Sequence, residues 1–107
     1  MIITTTDGVE DKKITAYLGI VSGEAIMGTN FMKDLFAGFR DVFGGRSKAY
    51  EKELRTGRDE ALKEMTEAAL ALGADAIVAV DLDYQVIGGD EKTLLMICVN
   101  GTAVKLG

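Results

Sequence analysis

From Ile14 to Ile26 the side chains alternate, with Ile14, Ala16, Leu18 and Ile20 on one face and Thr15, Tyr17, Gly19 and Val21 on the other. A period of two predicts a strand, bent at Gly19 or Gly23. Before it, Met1 to Thr6 is short and β-branched, an edge strand or arm, followed by a polar turn from Asp7-Gly8 to Lys13. Met27-Gly28-Thr29-Asn30 reads as a turn ending in an N-cap. The period then changes. Met32, Phe36, Phe39 and Phe43 are spaced as one face of a helix, with Phe31, Leu35 and Val42 widening its apolar surface.

Gly44-Gly45 ends that helix, and Ser47 is placed to cap a longer one from about Lys48 to Leu72. Tyr50, Leu54, Ala61, Met65, Ala68 and Leu72 make its stripe, Glu51 and Glu53 sit early, and Gly73 follows as C-cap. At roughly 37 Å it is longer than a small sheet covers, so one end is expected to project. Ala74 to Ile87 is the clearest strand: Ala76, Val78, Val80, Leu82, Tyr84 and Val86 face one way, Asp81, Asp83 and Gln85 the other. Gly88 to Lys92 is a hairpin loop. Thr93 to Leu106 returns with both faces apolar at first, which places it centrally in the sheet or buries it against another subunit. The order ββααββ, with a hairpin at each end, predicts an α+β fold: an antiparallel sheet of about four strands, with one short and one long helix on one face.

Size and charge narrow the function classes. A chain of 107 residues makes one domain, residues 1–107. Its core is modest, yet 48% of its residues are hydrophobic, a surplus that suits contact with another subunit. Twelve basic against 17 acidic residues give a net charge of −5, which argues against nucleic acid and anionic lipid as partners. No apolar run is long enough to span a membrane, and the N-terminus has no basic, apolar leader pattern. One cysteine, Cys98, among apolar neighbours suits a reduced, cytoplasmic thiol. No histidine is present, which removes the commonest general base and metal ligand together.

Three runs carry a family resemblance: Gly23-Glu24-Ala25-Ile26-Met27-Gly28-Thr29-Asn30, Gly44-Gly45-Arg46-Ser47 with Tyr50-Glu51-Lys52-Glu53-Leu54, and Gly73-Ala74-Asp75-Ala76-Ile77-Val78. With the terminal Gly101-Thr102-Ala103-Val104-Lys105, they resemble the YbjQ-like family over essentially the whole chain. The resemblance implies an α+β subunit in a ring-shaped homopentamer, bacterial and cytoplasmic, with no established activity. It also implies a heavy-metal-binding label that assigns no residues.

Two sites follow from the residues. The junction of Gly45, Arg46, Ser47, Tyr50 and Glu51 offers helix N-terminal N–H groups, close backbone approach and a cation, a combination that suits a small anion. Against this, Gly-Gly is a plain interhelix turn and Arg46 pairs with Glu51 or Glu53; lacking a Gly-Lys-Ser/Thr ending, the run is no phosphate loop, and the turn reading outweighs the other. For a metal ion, the candidates are Cys98, converging from several subunits near an axis, and Asp81 with Asp83, on one face of a strand beside Glu24. The competing readings, a buried core thiol and solvated acids, outweigh these. Catalysis has no motif: neither Ser47 nor Cys98 has a base. The expectation is a non-enzymatic homo-oligomer that binds a small ligand or a metal ion as cofactor between subunits. The alternative is an interaction module with no ligand.

Overall fold

The computed structural model describes residues 1–28, 45–88 and 93–107, and side chains for these except 45–50 and 93. The expected turn at Thr29-Asn30, the short helix from Phe31 to Phe43 and the hairpin loop of residues 89–92 lie outside the described residues. The described elements are β1 (Ile2–Ile3), β2 (Ile14–Met27), α1 (Gly45–Ala71), β3 (Ala76–Gly88) and β4 (Thr93–Leu106). They form a four-stranded sheet in the order β1-β3-β4-β2, with α1 packed on one face. The fold is α+β.

β4 is central, as its two apolar faces predict, and β1 is an edge strand. The expected hairpin at the N-terminal end does not form. β1 pairs with β3 in parallel, while β2 lies at the opposite edge, antiparallel to β4. The β3–β4 hairpin comes between them, so the sheet is mixed. The link from β1 to β2 crosses the face opposite the helix, where Val9 packs on Ala76, Val78 and Val104. It turns at Val9–Lys12, with Asp11 at φ 63°.

The apolar face of β3 also differs from the simple alternation. An extra residue between Val78 and Asp81 shifts the register, with Ala79 at φ 53°. Ala76 and Val78 therefore join the cluster opposite the helix, whereas Val80 packs toward the helix side. The N-terminal segment straps this bulge: the Ala79 N–H donates to the Thr6 carbonyl at 2.8 Å and the Val80 N–H to that of Thr4 at 3.0 Å. Bulges in β2 fall at Ile14/Ala16 and Tyr17/Gly19, where Gly19 has φ 133°, the bend expected there.

The core lies between α1 and the sheet. Gly57, Ala61, Met65 and Ala69 are its buried helix positions, with Val21, Ile77, Ile97, Val99 and Ala103 beneath. The i, i+4 spacing makes one narrow face, and its small residues bring the helix close to the strands. Ala68 and Leu72, expected in the stripe, are exposed, and Ala69 takes the place of Ala68. Gly73 closes the helix as expected. At φ 78° its N–H donates to the Leu70 carbonyl (2.9 Å), and that of Ala74 donates to Ala69 (3.1 Å), a Schellman ending. Among the described side chains toward its N-terminal end, Glu51, Lys52 and Glu53 are exposed and Leu54 is half-buried. The helix is not longer than the sheet it lies on, as its length suggested, since β2 and β4 have 14 residues each and are at least as long.

Asp75, in the turn after the helix, fastens the end of β4. Its Oδ2 accepts the Leu106 N–H at 2.8 Å and its Oδ1 lies 3.5 Å from Lys105 Nζ. The Leu106 bond lowers this carboxyl most; desolvation opposes it, and the Lys105 charge adds to the lowering, so that it sits below its ordinary value. A lowered folded-state pKa contributes stability that is present above the unfolded-state value, about 3.9, and is lost as pH falls through the folded one. Urea melts between pH 5 and 2 are expected to lose stability more steeply for the wild type than for Asp75→Asn. Equal slopes would remove Asp75 from this role.

Candidate functional site

The glycine-rich junction is not a loop. The helix already runs at Gly45, so Arg46, Ser47 and Tyr50 are helical and Ser47 is not a cap. No acid occupies the first described turn, which removes the idea that Glu51 and Glu53 answer the helix dipole; Glu51 is exposed one turn further on. The side chains of Arg46, Ser47 and Tyr50, and Gly44 altogether, lie outside the described residues. The structure thus brings no anion-binding constellation together here among the described residues.

The proposed metal donors fall in register. Cys98 is opposite Glu24 on β2 and Asp83 on β3, and Asp81 is opposite Asn100. Residues directly paired across strands share a face, so Glu24, Cys98 and Asp83 form one row across three strands. Ile97 and Val99 are buried under the helix, which places this row on the other face. Cys98 is half-buried and belongs to neither apolar cluster, so it is not a core cysteine. Burial raises its thiol above the ordinary value, and the charges of Glu24 and Asp83 raise it further. Burial first, and the two carboxylates with it, favour the protonated sulfur, the less nucleophilic and less metal-binding form.

Strands at ~4.8 Å spacing put the Glu24 and Asp83 backbones about 10 Å apart, with Cys98 between them. Among the described residues, no three His, Cys, Asp or Glu side chains gather to hold a metal ion. Only one cysteine and no histidine exist in the chain. The described residues of one chain therefore do not fit a soft-metal site.

A second acidic feature was missed from the sequence. A groove of about 290 Å³ between β2 and α1 is lined by Glu24, Glu60, Lys63, Glu64 and Glu67. The signal was present in the i, i+4, i+7 spacing of Glu60, Glu64 and Glu67. What periodicity does not reveal is that Glu24, facing away from the helix but on an edge strand, also borders this groove.

The model of the YbjQ family described as "Putative heavy-metal-binding" matches residues 1–107. The chain belongs to this family. Among solved structures, it is similar to a family protein of unknown function from Pediococcus pentosaceus ATCC 25745, assigned to the DUF74 family. The TM-score is 0.67 at 16% identity, over 100% of this chain and 98% of that one. At that identity the likeness establishes the fold alone. The family description names heavy metals, while the donors described in this member do not assemble around one. No described helix of this YbjQ-family chain is long and apolar enough to cross a membrane.

Proposed function

We propose that this chain is a subunit of a cytoplasmic homo-oligomer, a pentamer, that binds a small ligand or ion between subunits and catalyses no reaction. The observation that carries the reading is the apolar surface left open: Ile20 is 83% exposed, Val86 64%, Ile26 62% and Tyr84 45%. Apolar residues so exposed on both faces of the sheet suit contact with other subunits better than solvent. The Cα radius of gyration, 17.0 Å, exceeds the ~13 Å of a compact chain this long, as expected of a subunit that completes its layers with neighbours. The pentamer rests on the family resemblance alone. A ligand site between subunits answers the donor problem, since symmetry repeats Cys98 and the acids of each copy.

A second reading, an interaction module with no small ligand, is favoured by the lack of a three-donor group among the described residues. Native mass spectrometry of the untagged protein, with elemental analysis of the same sample, separates the two. A fivefold mass with a stoichiometric addition is the expected result. A bare fivefold mass moves the conclusion to the module, and a folded monomer at micromolar concentration overturns both.

A further inference from the structure

We propose that the N-terminal strap, Thr4 to Thr6, is a register lock for β3. It holds the extra residue at Ala79 in place, and its release lets Asp81 to Gly88 slip by one position against β4. Val78 is opposite Thr102 and Asp81 opposite Asn100, so Ala79 and Val80 together face the single residue Gly101. Neither is paired with a residue of β4. The strap supplies their partners: the Ala79 N–H donates to the Thr6 carbonyl and the Val80 N–H to that of Thr4. Two hydroxyls hold the strap in the bend that this takes. Thr6 Oγ1 donates to the Gly8 carbonyl at 2.6 Å, and Thr4 Oγ1 lies 2.8 Å from Thr6 Oγ1 and accepts the Thr6 N–H at 3.2 Å.

Burial fixes only the near half of the strand. Ala76, Ile77 and Val78 are buried, while every residue from Asp81 to Gly88 is exposed, on both faces. A strand with no buried face has a weakly specified register. Moreover, Ala76, Val78, Val80, Leu82, Tyr84 and Val86 alternate without interruption, the pattern of the strand without its extra residue. Continued from Val78 and Thr102, that straight ladder would set Leu82 opposite Cys98 and Tyr84 opposite Met96. The structure instead sets Asp83 opposite Cys98 and Gln85 opposite Met96. The bulge is also the more strained backbone, since Ala79 has φ 53°, a left-handed conformation disfavoured for residues with a Cβ. Pattern and strain thus favour the straight ladder. The two strap hydrogen bonds favour the bulge, as does Gly101, where a Cβ would lie 3.0 Å from Val80 Cγ2.

The lock decides which side chains meet on the face opposite α1. With the strap in place, Asp81 and Asp83 lie there with Glu24 and Cys98. With the far half slipped, Leu82, Tyr84 and Val86 would take that face and the acids would turn to the helix side. Whatever displaces the strap from the β3 edge therefore exchanges an acidic row for an apolar one.

Cys98, the chain's one cysteine, can report the register. Two probes of the full chain, Asp83→Cys and Leu82→Cys, are oxidised with diamide. Intact mass then separates an internal disulfide with Cys98 from one between chains. Cysteines whose Cβ vectors point apart do not bridge, so in the wild-type background Asp83→Cys is expected to close and Leu82→Cys to stay open. Thr4→Gly with Thr6→Gly removes both hydroxyls and loosens the strap, and in that background Leu82→Cys is expected to close. Adding Ala79→Gly, which relieves the strain of the bulge, is expected to open it again. Circular dichroism checks the fold, and Thr4→Val with Thr6→Val replaces the glycine pair if that unfolds. A Leu82→Cys probe that stays open with the strap loosened, or that closes as readily in the wild-type background, overturns the lock. An Asp83→Cys probe that stays open in the wild-type background overturns the bulged register itself.

Discussion

Gly23→Ala lowers the melting temperature by about 10–20 °C, the effect of a loss of roughly 2–3 kcal/mol in a domain of this size. The cause is the closeness of β2 to α1. A methyl group at Gly23 meets the Ala61 carbonyl oxygen head-on, with the Ala61 carbonyl carbon and the Met65 nitrogen each at 2.9 Å. All three are helix backbone, so no rotamer change relieves the overlap and the helix itself must lift from the sheet. Lifting it opens the contacts of Met65 and Ala61 with Val21, Ile97 and Val99. Two other glycines calibrate the measurement. A methyl at Gly57 meets only the tips of Met27 (Cε, 2.5 Å) and Ile97 (Cδ1, 2.8 Å), which can swing aside, so Gly57→Ala costs less. Around Gly8 nothing lies within 4 Å, and Gly8→Ala is near neutral. Thermal melts of the three variants at one protein concentration check the ranking. A Gly23→Ala protein that melts with the Gly8→Ala one would show that the helix does not sit this close.

Met65→Ala costs about 2–5 kcal/mol, read as a fall in the urea midpoint with an unchanged slope. Met65 is fully buried in the C-terminal half of α1 and is among the largest fully enclosed side chains of the core. Alanine is at least as good a helix former as methionine, so the loss measures packing and not propensity. The neighbours limit relaxation. Ala61 and Ala69, one turn to either side, are too small to fill the space, and the strands below are held by the ladders of β4 with β2 and β3. The same substitution at Leu70, 58% exposed on the outer side of the helix, is expected to stay within about 0.5 kcal/mol of the wild type. Similar losses at both positions would place the helix in the wrong rotation about its axis.

Several elements were legible from local signals. The strand of residues 14–27, the long helix with its Gly73 ending and the central place of residues 93–106 follow from period, glycine and two-faced apolarity. The bend at Gly19 and the edge position of β1 were also readable. Two misses share one cause, a dependence on partners distant in sequence. β1 looked like half of a hairpin with β2, but its partner is β3, more than 70 residues away, and the β3–β4 pair separates the two. The apolar face drawn through Val78 and Val80 assumed unbroken alternation, and the extra residue at Ala79 divides it. Ser47 is a separate, local miss: it looked like a cap two residues after the Gly44-Gly45 pair, yet the helix has begun by Gly45.

The candidate donors divide in the same way. That Asp81 and Asp83 share a face is a property of any strand, and it was readable from their spacing. That Glu24 and Asp83 flank Cys98 depends on the register of two ladders, which only pairing in three dimensions sets. Register also bears on the chemistry, because the two flanking acids add to the burial that raises the thiol instead of activating it.

Composition alone determined that one subunit lacks the imidazoles and paired thiols of a soft-metal site, and period alone determined most of the elements. Both are properties of a residue and its near neighbours along the chain. The tertiary structure decided which strands lie in the middle, which face each acid occupies and which edges stay open. Those depend on strand order and register, where inserting a single residue turns every later side chain to the opposite face.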